Sequence, residues 1–542
     1  MLRRVRLLSM AVLIGTLIFP APSEAQSTSR IDVIKQRGTL IVGVKADYPP
    51  WGMVDADGTL VGMEPDLARD IAGRLGVDLR LVSVSSASRL QKVEDGTVDL
   101  IIATMGDTVK RRKVSGLIEP NYYASGVNIL MSKALAVNSW AELKGRTICL
   151  TDGAYYNRTL VERYLIKPVI FKGTRDTQLA LEAKQCAGWV YDDSVLGIKL
   201  QGDEGRWADF AMPLPTILVS PWAMAVQLAE RDGPWGKMVA QTIAEWHQSG
   251  FLIEKEAAWN LPPSTYLAEQ RVLWNRKDTT NRYVCRVNTA GRYPVECLDQ
   301  TLAAASGRSA EVYGQGIANF LYQNGIDFPP LYDEFSLVLL LKGLGMTLAL
   351  SLIAIVGSLV IGITVGTLKV NMPKYLGMII DAVNAVFYMT PPILNLYVVL
   401  FGLGGWMAAT YGVSFNTFVV ACVVLSLYAG SSNAVIIANV ICMVRKEVGA
   451  DKGLREIFPA VIGLSFGGLT ANSVNIVKAV GIASTIAVSE IIFAASSIIS
   501  EYGNAAVMMN FLMVFYLVLV AALYQLLTKA NTWVTKWAHK KT

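Results

Sequence analysis

Charged residues are unevenly distributed along this 542-residue chain, and that asymmetry is the sequence feature that most restricts its fold. They recur every few positions between residues 30 and 330, whereas residues 335–530 run through long uncharged stretches. The whole composition, 53% hydrophobic and 17% charged, is more apolar than that of a soluble globular protein. We therefore expect two or three domains, with an aqueous part and a membrane part that meet near Pro329 and Pro330.

The first residues predict export. Arg3, Arg4 and Arg6 precede an apolar run that is followed by small residues up to Ala25. This three-part pattern is typical of a secretory signal, and we assign residues 1–25 to a signal peptide. The alternative is an uncleaved anchor helix, for which the apolar run is short. Both interpretations put the aqueous part outside the cytoplasm.

The six cysteines suit an oxidising compartment. We expect a disulfide between Cys285 and Cys297, and Cys149 and Cys186 are a second candidate pair. Two histidines and no CxxC pair leave little material for a metal site or a histidine-based triad. We expect no metal, no cofactor and no enzymatic activity in this chain. The net charge of +6 is small for this length and requires no nucleic-acid partner.

The aqueous part alternates short β-rich apolar runs with helical patterns from Thr39 to about residue 260. Such alternation predicts an α/β fold with mostly parallel sheet, and this length suits two lobes with a cleft between them. Ligands of open α/β sheets bind at the carboxyl ends of strands. We therefore assign residues 30–262 to a two-lobed binding domain. Residues 263–334, rich in Pro, Gly, Asn and Arg, are the predicted connector.

Residues 335–542 predict an all-α membrane domain with several spans. The five segments long and apolar enough to cross a bilayer are residues 336–368, 375–405, 414–442, 457–494 and 506–528. The fourth is long, and we expect it to be broken by Gly467, Gly468 and Gly481. If the first span starts outside, three basic groups fall on the cytoplasmic side, as the positive-inside rule requires. Those groups are Lys369 with Lys374, the loop from Arg445 to Arg455, and the tail from Lys529 to Lys541.

The aqueous part resembles the periplasmic polar-amino-acid binding proteins of bacterial importers. The resemblance depends on four fragments in a fixed order, namely GTLIVGVKADYPPWGMVDADGTLVGMEPDLARDIAGRLG, DGTVDLIIATMGDTVKRR, LKGRTICLTDG and GWVYDDSVL. It implies a two-lobed periplasmic-binding-protein fold and a free amino acid as ligand.

The resemblance also implies site residues. Arg111 of the Thr-x-x-Arg element, which begins at Thr108, would hold the ligand's α-carboxylate as a bidentate fork. Thr104 and Gly106 would add donors from the end of the preceding strand. Asp192 or Asp193 would meet the α-ammonium, and the sequence does not choose between them, since either aspartate also suits a helix N-cap.

Three further residues belong to the predicted cleft. Tyr48 and Trp51 match aromatic positions that cover the ligand's aliphatic stem. At the position of Lys45, family members that take cationic amino acids have an acidic residue. A cation there would attract an acidic side chain and repel a basic one, so we expect an acidic preference unless Lys45 is a surface residue.

The membrane domain resembles the permease subunits of the same ABC import class. The matching elements are LLKGLGMTLALSLIAIVGSLVIG, FYMTPPILNLYVVLFGL and NSVNIVKAVGIASTIAVSEII. Pro391 and Pro392 are expected to kink the second span. Lys478, a charge in an apolar region, is the candidate pathway residue. The resemblance places the chain in a bacterial inner membrane, with the binding domain in the periplasm, as an importer component.

One loop departs from the permease pattern. The family's Glu-Ala-Ala…Gly element, which docks on an ATPase, is replaced by MVRKEVGADKGLREIFP, a shorter loop in which neither the Glu-Ala-Ala run nor its glycine is in register. Glu447 and Gly449 are its candidate coupling residues. No P-loop motif occurs, so an ATP-binding subunit must act in trans, and we expect a homodimer or a second permease as partner. The alternative function is a ligand-gated channel or a membrane sensor.

Overall fold

The computed structural model describes residues 29–202, 204–288, 292–298, 316–449 and 453–539. The predicted signal peptide, residues 1–25, lies outside the described residues, as do parts of the predicted connector and of the loop before the fourth span. We refer to residues 29–298 as the α/β domain and to residues 316–539 as the helical domain.

The α/β domain contains twelve strands in its described part. They are β1 (Thr39–Val44), β2 (Asp47–Tyr48), β3 (Gly52–Val54), β4 (Leu60–Val61), β5 (Asp78–Ser83), β6 (Leu100–Ile101), β7 (Gly116–Ser132), β8 (Thr147–Thr151), β9 (Lys167–Phe171), β10 (Gly188–Asp192), β11 (Phe210–Ala211) and β12 (Ile217–Val226).

Nine of these strands form one sheet that runs through two lobes. Its order is β5-β1-β6-β12-β7-β10-β8-β9, and β11 pairs with β7. Strands β1, β5 and β6 belong to lobe 1, and β8 to β11 belong to lobe 2. The long antiparallel strands β7 and β12 pass through both lobes, pairing Gly116 with Val226 at one end and Val127 with Ile217 at the other. They are therefore the connection about which the lobes can move.

Parallel pairing explains the sequence of lobe 1. Strand β1, TLIVGV, lies between β5 and β6 in parallel register, and five of its six residues are buried. A strand covered on both faces must be apolar throughout, as this one is. Strands β2, β3 and β4 form a separate antiparallel sheet beside it.

Helices cover the sheet of the α/β domain. They are α1 (Arg30–Arg37), α2 (Met63–Leu75), α3 (Arg89–Glu94), α4 (Val109–Val114), α5 (Asn157–Tyr164), α6 (Thr174–Glu182), α7 (Asp193–Gly202), α8 (Glu204–Trp207), α9 (Pro234–Ser249), α10 (Phe251–Ala258) and α11 (Thr265–Trp274). Short 3₁₀ turns occur at Lys133–Leu135, Trp140–Leu143, Leu228–Glu230 and Val295–Cys297.

Part of the predicted connector packs on the α/β domain. In α11, Leu267 and Trp274 are buried, and the Trp274 ring stacks on His247 of α9 at 6.1 Å. The disulfide between Cys285 and Cys297 lies against Trp274. A second disulfide joins Cys149 of β8 to Cys186. The ordered α/β domain thus extends beyond residue 262 to the second cysteine of the later pair.

The helical domain consists of long apolar helices. Its α-helices are α12 (Ile317–Gln323), α13 (Glu334–Asn371), α14 (Lys374–Met389), α15 (Pro392–Tyr397), α16 (Gly404–Tyr411), α17 (Thr417–Val448), α18 (Leu454–Ala479), α19 (Ile491–Tyr502) and α20 (Ala505–His539). A π-helical segment, Val398–Leu403, joins α15 to α16, and 3₁₀ segments cover Pro329–Leu331 and Val480–Ile486.

Five of these stretches are long and apolar enough to cross a membrane. They are Glu334–Asn371, Pro392–Tyr411, Thr417–Val448, Leu454–Ile486 and Ala505–Thr532. Their number agrees with the sequence prediction, but two boundaries differ from it. The predicted span 375–405 is two helices that meet at Thr390 and Pro391, so the prolines end one helix and begin another. The predicted segment 457–494 ends as a span at Ile486, and a shorter helix, α19, follows it.

Small residues allow the first and third spans to pack closely. A methyl group on Gly362 would lie 2.4 Å from Cβ of Asn433, and one on Gly430 would lie 2.7 Å from Cγ2 of Ile361. Close approach through small residues is a common way for membrane helices to associate. At the far end of this pair, Arg445 donates to the Asn371 side chain at 2.8 Å, so two of the predicted basic groups lie together.

Candidate functional site

The candidate site lies between the lobes, where strands β1, β6, β8 and β10 reach their carboxyl ends. The lobes are closed over it. The Asp47 carboxylate in lobe 1 accepts from the backbone N–H of Thr174 in lobe 2 at 2.8 Å, and the Tyr48 hydroxyl donates to Asp192. Most predicted ligand-binding residues of the α/β domain lie at or beside these strand ends, as the general rule for open α/β sheets predicts.

Arg111 is buried in the cleft, with only 4% of its surface exposed. It is the third residue of α4, and Thr108 caps that helix by accepting from the Arg111 N–H at 3.3 Å. The guanidinium donates to two backbone carbonyls, Gly106 at 2.8 Å and Gly153 of the opposite lobe at 2.9 Å. Within the described chain, Arg111 has no carboxylate partner. Burial lowers the pKa of Arg111 to about 9, since its charge is poorly solvated.

The strand end before Arg111 has an unusual backbone. Thr104 has a φ of 44°, and its N–H donates to Glu64 at 2.6 Å. Gly106 forms an isolated bridge with Trp222, and a methyl group on it would lie 2.8 Å from the Tyr155 ring. Only glycine therefore fits between this strand end and the tyrosine of the other lobe.

The two aspartates of GWVYDD have different surroundings. Asp192, the last residue of β10, is 7% exposed and accepts from the Tyr48 hydroxyl. Burial raises the pKa of Asp192 to about 7, although the bond from Tyr48 opposes the shift. Asp193 begins α7 and is held by the strands that connect the lobes, accepting from Ser125 at 2.7 Å and from the Gly126 N–H at 3.0 Å. Asp193 is therefore held by hydrogen bonds to the connecting strand β7, whereas Asp192 faces the other lobe.

Tyr155 of lobe 2 lies against the strand end at Gly106. Its pKa is raised, first by burial and then by the Asp192 carboxylate, while the Arg111 guanidinium opposes the shift. The Tyr155 hydroxyl itself donates to the Leu218 carbonyl on β12.

Lys45 follows β1 and is fully enclosed, with 1% of its surface exposed. Its ammonium donates to the Ser86 hydroxyl at 3.2 Å and pairs with Asp47 at 3.3 Å. It also lies 5.7 Å from the centre of the Tyr48 ring. The surface-lysine alternative is excluded, but Asp47 partly balances the charge that was expected to select acidic ligands.

Tyr48 and Trp51 are buried aromatic residues with different neighbours. The Tyr48 ring lies 5.2 Å from Tyr191 of lobe 2. Trp51 packs at 4.4 Å against Tyr123 and at 4.9 Å against Trp222, both on the connecting strands. Tyr48 therefore faces the interlobe contact, whereas Trp51 belongs to the aromatic packing behind it.

Sequence reasoning missed two buried ionisable residues, Glu64 and Arg89, that lie beside Thr104. Glu64 is fully buried and accepts from the Tyr122 hydroxyl at 2.5 Å, and burial raises its pKa to about 7. Arg89 is 3% exposed and donates to the carbonyls of Ala103 and Thr104. Each is a charged residue in the first turn of a helix, Glu64 in α2 and Arg89 in α3, which was the available signal for both.

Asp152 and Gly153 at the end of β8 were also missed as site residues. They stand in the quoted fragment LKGRTICLTDG, directly after a strand, which was a sufficient signal. A methyl group on Gly153 would lie 2.6 Å from the Ala87 nitrogen, so this glycine permits the close approach of the lobes. Its φ of 77° also favours glycine.

The predicted residues of the helical domain are not brought together. Pro391 and Pro392 lie at the break before α15, Lys478 is exposed in the last turn of α18, and Glu447 and Gly449 are exposed at the end of α17. In the described part of the chain neither Lys478 nor Glu447 forms an ion pair. Residues 450–452 of the same loop lie outside the described residues.

The described residues contain no group of three or more His, Cys, Asp or Glu side chains that could hold a metal ion. His247 is buried and bonded to the Asn121 carbonyl at 2.8 Å, and burial lowers its pKa to about 4. It belongs to the packing between α9 and α11.

A protein-family model matches the α/β domain. Residues 40–262 match the bacterial extracellular solute-binding proteins, family 3. The α/β domain therefore contains a periplasmic-binding-protein fold of a solute-binding family whose relatives bind amino acids. The match does not extend to the helical domain.

Several curated relatives match part of the chain. The glutamine-binding protein of Geobacillus stearothermophilus is 33% identical over 132 residues, which are 23% of this chain and 50% of that protein. The L-cystine-binding protein of Escherichia coli (strain K12) is 29% identical over 24% of this chain and 49% of its own length. The chain thus spans about half the length of these relatives. The glutamate/glutamine/aspartate/asparagine-binding protein of Rhodobacter capsulatus is 26% identical over 40% of this chain and 65% of its length.

Solved structures include holo ArgBP from T. maritima, which is 26% identical. The alignment covers 42% of this chain and 99% of that one, with a TM-score of 0.38.

Proposed function

We propose that this chain is the membrane-spanning component of a bacterial amino-acid importer, in which the α/β domain captures a free polar amino acid and delivers it to the helical domain. The observation that carries the proposal is the Arg111 guanidinium, which is buried in the interlobe cleft without a carboxylate partner among the described residues. A buried cation with free bonding capacity is suited to bind an anion.

A free amino acid matches the charges of this cleft. Its carboxylate would bind Arg111, and opening the lobes by a small rotation would release the Gly153 carbonyl from the same guanidinium. Its ammonium would bind Asp192, which is buried and has one hydrogen-bond donor, Tyr48. The opposite charges of a zwitterion would then both be compensated inside the protein, which neither a simple anion nor a cation would achieve.

Lys45 supports an acidic or amide side chain on the ligand. Its ammonium, enclosed in the cleft, would donate to a carboxylate or a carboxamide oxygen and would repel a second ammonium. Because Asp47 lies 3.3 Å away, the preference for glutamate over glutamine is expected to be smaller than an unpaired lysine would give.

The helical domain supports the transport part of the proposal. Five stretches of it are long and apolar enough to cross a membrane, and the α/β domain rests directly on it. Phe401 of the π-helical segment packs against Phe171 of β9 at 6.2 Å, and Tyr397 lies 3.3 Å from the Asp176 carboxylate. A solute released from the cleft would therefore meet membrane helices of the same chain.

The remaining partners follow from this role. An ATP-binding subunit would act in trans at the cytoplasmic loop that contains Glu447 and Gly449. A second copy or a second permease would complete the path beside Lys478, whose charge is costly against lipid. The chain itself would have no enzymatic activity and no cofactor. The α/β domain would lie in the periplasm, and the spans would lie in the inner membrane.

The unmatched cytoplasmic loop favours one other function. A ligand-gated channel or a sensor would use the same binding domain without an ATPase, and MVRKEVGADKGLREIFP lacks the expected docking pattern. Such a protein would bind the same ligand but would not concentrate it.

Two measurements test the proposal. The full chain in nanodiscs is titrated with each of the twenty amino acids, and we expect binding of at least one polar member that Arg111→Ala weakens. Binding of none would refute amino-acid capture. Uptake of the bound amino acid is then measured in cells that express the chain together with an ATP-binding subunit of an amino-acid importer. Uptake that stops at equilibrium would instead support the channel.

A further inference from the structure

A short membrane-side helix contacts both lobes of the α/β domain. Helix α19, Ile491–Tyr502, lies between the fourth and fifth spans and is too short to cross a bilayer. It contacts α3 and α4 of lobe 1, and its Ser497 hydroxyl donates to the Asp152 carboxylate of lobe 2 at 3.0 Å. A change in the angle between the lobes therefore has to change at least one of these contacts.

Glu501 near the end of α19 forms an ion pair with a cation from each lobe. Lys110 of lobe 1 pairs with its Oε1 atom, and Arg158 of lobe 2 lies 3.7 Å from the same atom. Lys110 also donates to the Tyr502 hydroxyl at 3.2 Å. Arg158 is further held by Asp333, which precedes the first span, at 2.9 Å and 3.2 Å, and by Glu162 of its own helix at 3.0 Å.

In this charge cluster, Lys110 and Arg158 belong to different lobes and carry like charges, and of the three carboxylates that pair with Arg158, Glu501 is the one that also pairs with Lys110. We expect that one carboxylate would not stay within ion-pair distance of both cations if the lobes opened. Glu501 would then stabilise the closed arrangement relative to the open one.

The same cluster lies next to the ligand site. Lys110 and Arg111 are consecutive residues of α4, so that helix presents one to Glu501 and the other to the cleft. A methyl group on Gly503 would lie 2.7 Å from Cβ of Val114, which shows how closely the end of α4 approaches the start of the fifth span. A movement of α4 would therefore affect both the cleft and the contact with Glu501.

We propose that Glu501 is a positioning residue through which the membrane helices stabilise lobe closure and so raise ligand affinity. The effect on ligand affinity depends on the function proposed above, whereas the effect on lobe closure does not. Binding linkage is reciprocal, so ligand-driven closure strengthens the contact with α19. Because α19 follows the 3₁₀ end of the fourth span and precedes the fifth, both spans would then respond to an occupied cleft.

The test compares Glu501→Gln with Glu162→Gln in the full chain. Both variants remove a carboxylate beside Arg158, but Glu162 lies in lobe 2 and does not connect the lobes. Spin labels on Asp57→Cys of lobe 1 and Lys167→Cys of lobe 2, both exposed, report the lobe-to-lobe distance in nanodiscs once the two unpaired cysteines are replaced by serine. This measurement requires no ligand.

We expect Glu501→Gln to shift the distances toward an open form, with Glu162→Gln unchanged. We also expect Glu501→Gln to weaken binding of the best-bound amino acid by about two- to fivefold, the range typical of a partly exposed ion pair. Lys110→Gln should act similarly, and the double variant Lys110→Gln/Glu501→Gln should add little. Unchanged distances in Glu501→Gln, or equal shifts in both carboxylate variants, would overturn the proposal. Failure of wild type to bind any amino acid would refute the proposed function instead, and the distances would still decide the role of Glu501.

Discussion

Arg111→Ala is the substitution that tests the proposed ligand site most directly. Among the described residues the guanidinium donates to the carbonyls of Gly106 and Gly153, so its removal strands two carbonyl acceptors but no charge. In the ligand complex it would strand a buried carboxylate. The variant should therefore damage binding far more than folding, because an unpaired buried charge costs more than an unpaired carbonyl.

The magnitude follows from the bonds that are lost. A charge-assisted hydrogen bond contributes roughly 1.5–3 kcal/mol, and a planar guanidinium can donate two of them to one carboxylate. Part of this binding free energy is recovered in the variant, because water can enter the space left by the side chain. We expect a net loss of about 3 kcal/mol, which is roughly 150-fold in Kd. Arg111→Lys keeps the charge but loses the fork, so its loss should be intermediate.

Isothermal titration of the full chain in nanodiscs, against the amino acid that wild type binds best, measures this loss. Arg112→Gln is the matched control, since Arg112 is the next residue of α4 but pairs with Asp107 and Glu119 away from the cleft. Melting temperatures of all variants check that folding is retained. A folded Arg111→Ala chain whose Kd lies within about threefold of wild type, on the scale of an ordinary surface substitution, would refute the assignment of the carboxylate site.

Three further predictions concern charge and topology. Only ionised Asp192 can pair with the ligand's ammonium, and burial raises the pKa of Asp192 to about 7. Affinity should therefore fall about tenfold per pH unit below that value, as titrations from pH 8 to 5 would measure. Asp192→Asn should abolish this pH dependence. Lys45→Gln, which removes the charge but keeps a hydrogen-bond donor, should weaken glutamate about tenfold and glutamine little in competition assays, whereas an unchanged ranking would eliminate the acidic preference. Reporter enzymes fused after Thr367 and after Lys446 should register the cytoplasm and one near Gly405 the exterior, and the reverse pattern would contradict the five-span topology.

The family resemblance named Lys45 and Arg111 as site residues. The strand-end rule, which needs only the order of elements, agrees with their places after β1 and beyond β6. It did not separate Asp192 from Asp193, because successive residues of a strand point to opposite faces. Which face meets the cleft depends on the register of β10 against β7, where Asp192 stands opposite Val127. That pairing joins distant parts of the chain, so no local pattern predicts it.

Hydropathy located the membrane helices but not their ends. An apolar run has the same composition whether it crosses a bilayer or folds back, so residues 457–494 read as one segment. The polar signal inside that run is Glu490, whose carboxylate caps α19 by accepting from Ile492 at 2.8 Å and Phe493 at 2.9 Å. A cap of this type begins a new helix. The α-helix of this segment ends at Ala479, next to Gly481, where one of the expected breaks lies, and the new helix begins after Glu490. The helix continues through Gly467 and Gly468, where no break occurs.

The contact between Lys110 and Glu501 shows why domain assignment alone could not predict how the two parts interact. Each residue is unremarkable within its own domain, since Lys110 is one of several basic residues on α4 and Glu501 ends an amphipathic helix. Their pairing depends on a short helix placed across the cleft, and that placement depends in turn on the fourth span ending at Ile486. If the predicted 457–494 span had been continuous, α19 would lie in the bilayer and could not contact either lobe. The break in the apolar run is thus what gives the binding domain access to the membrane helices.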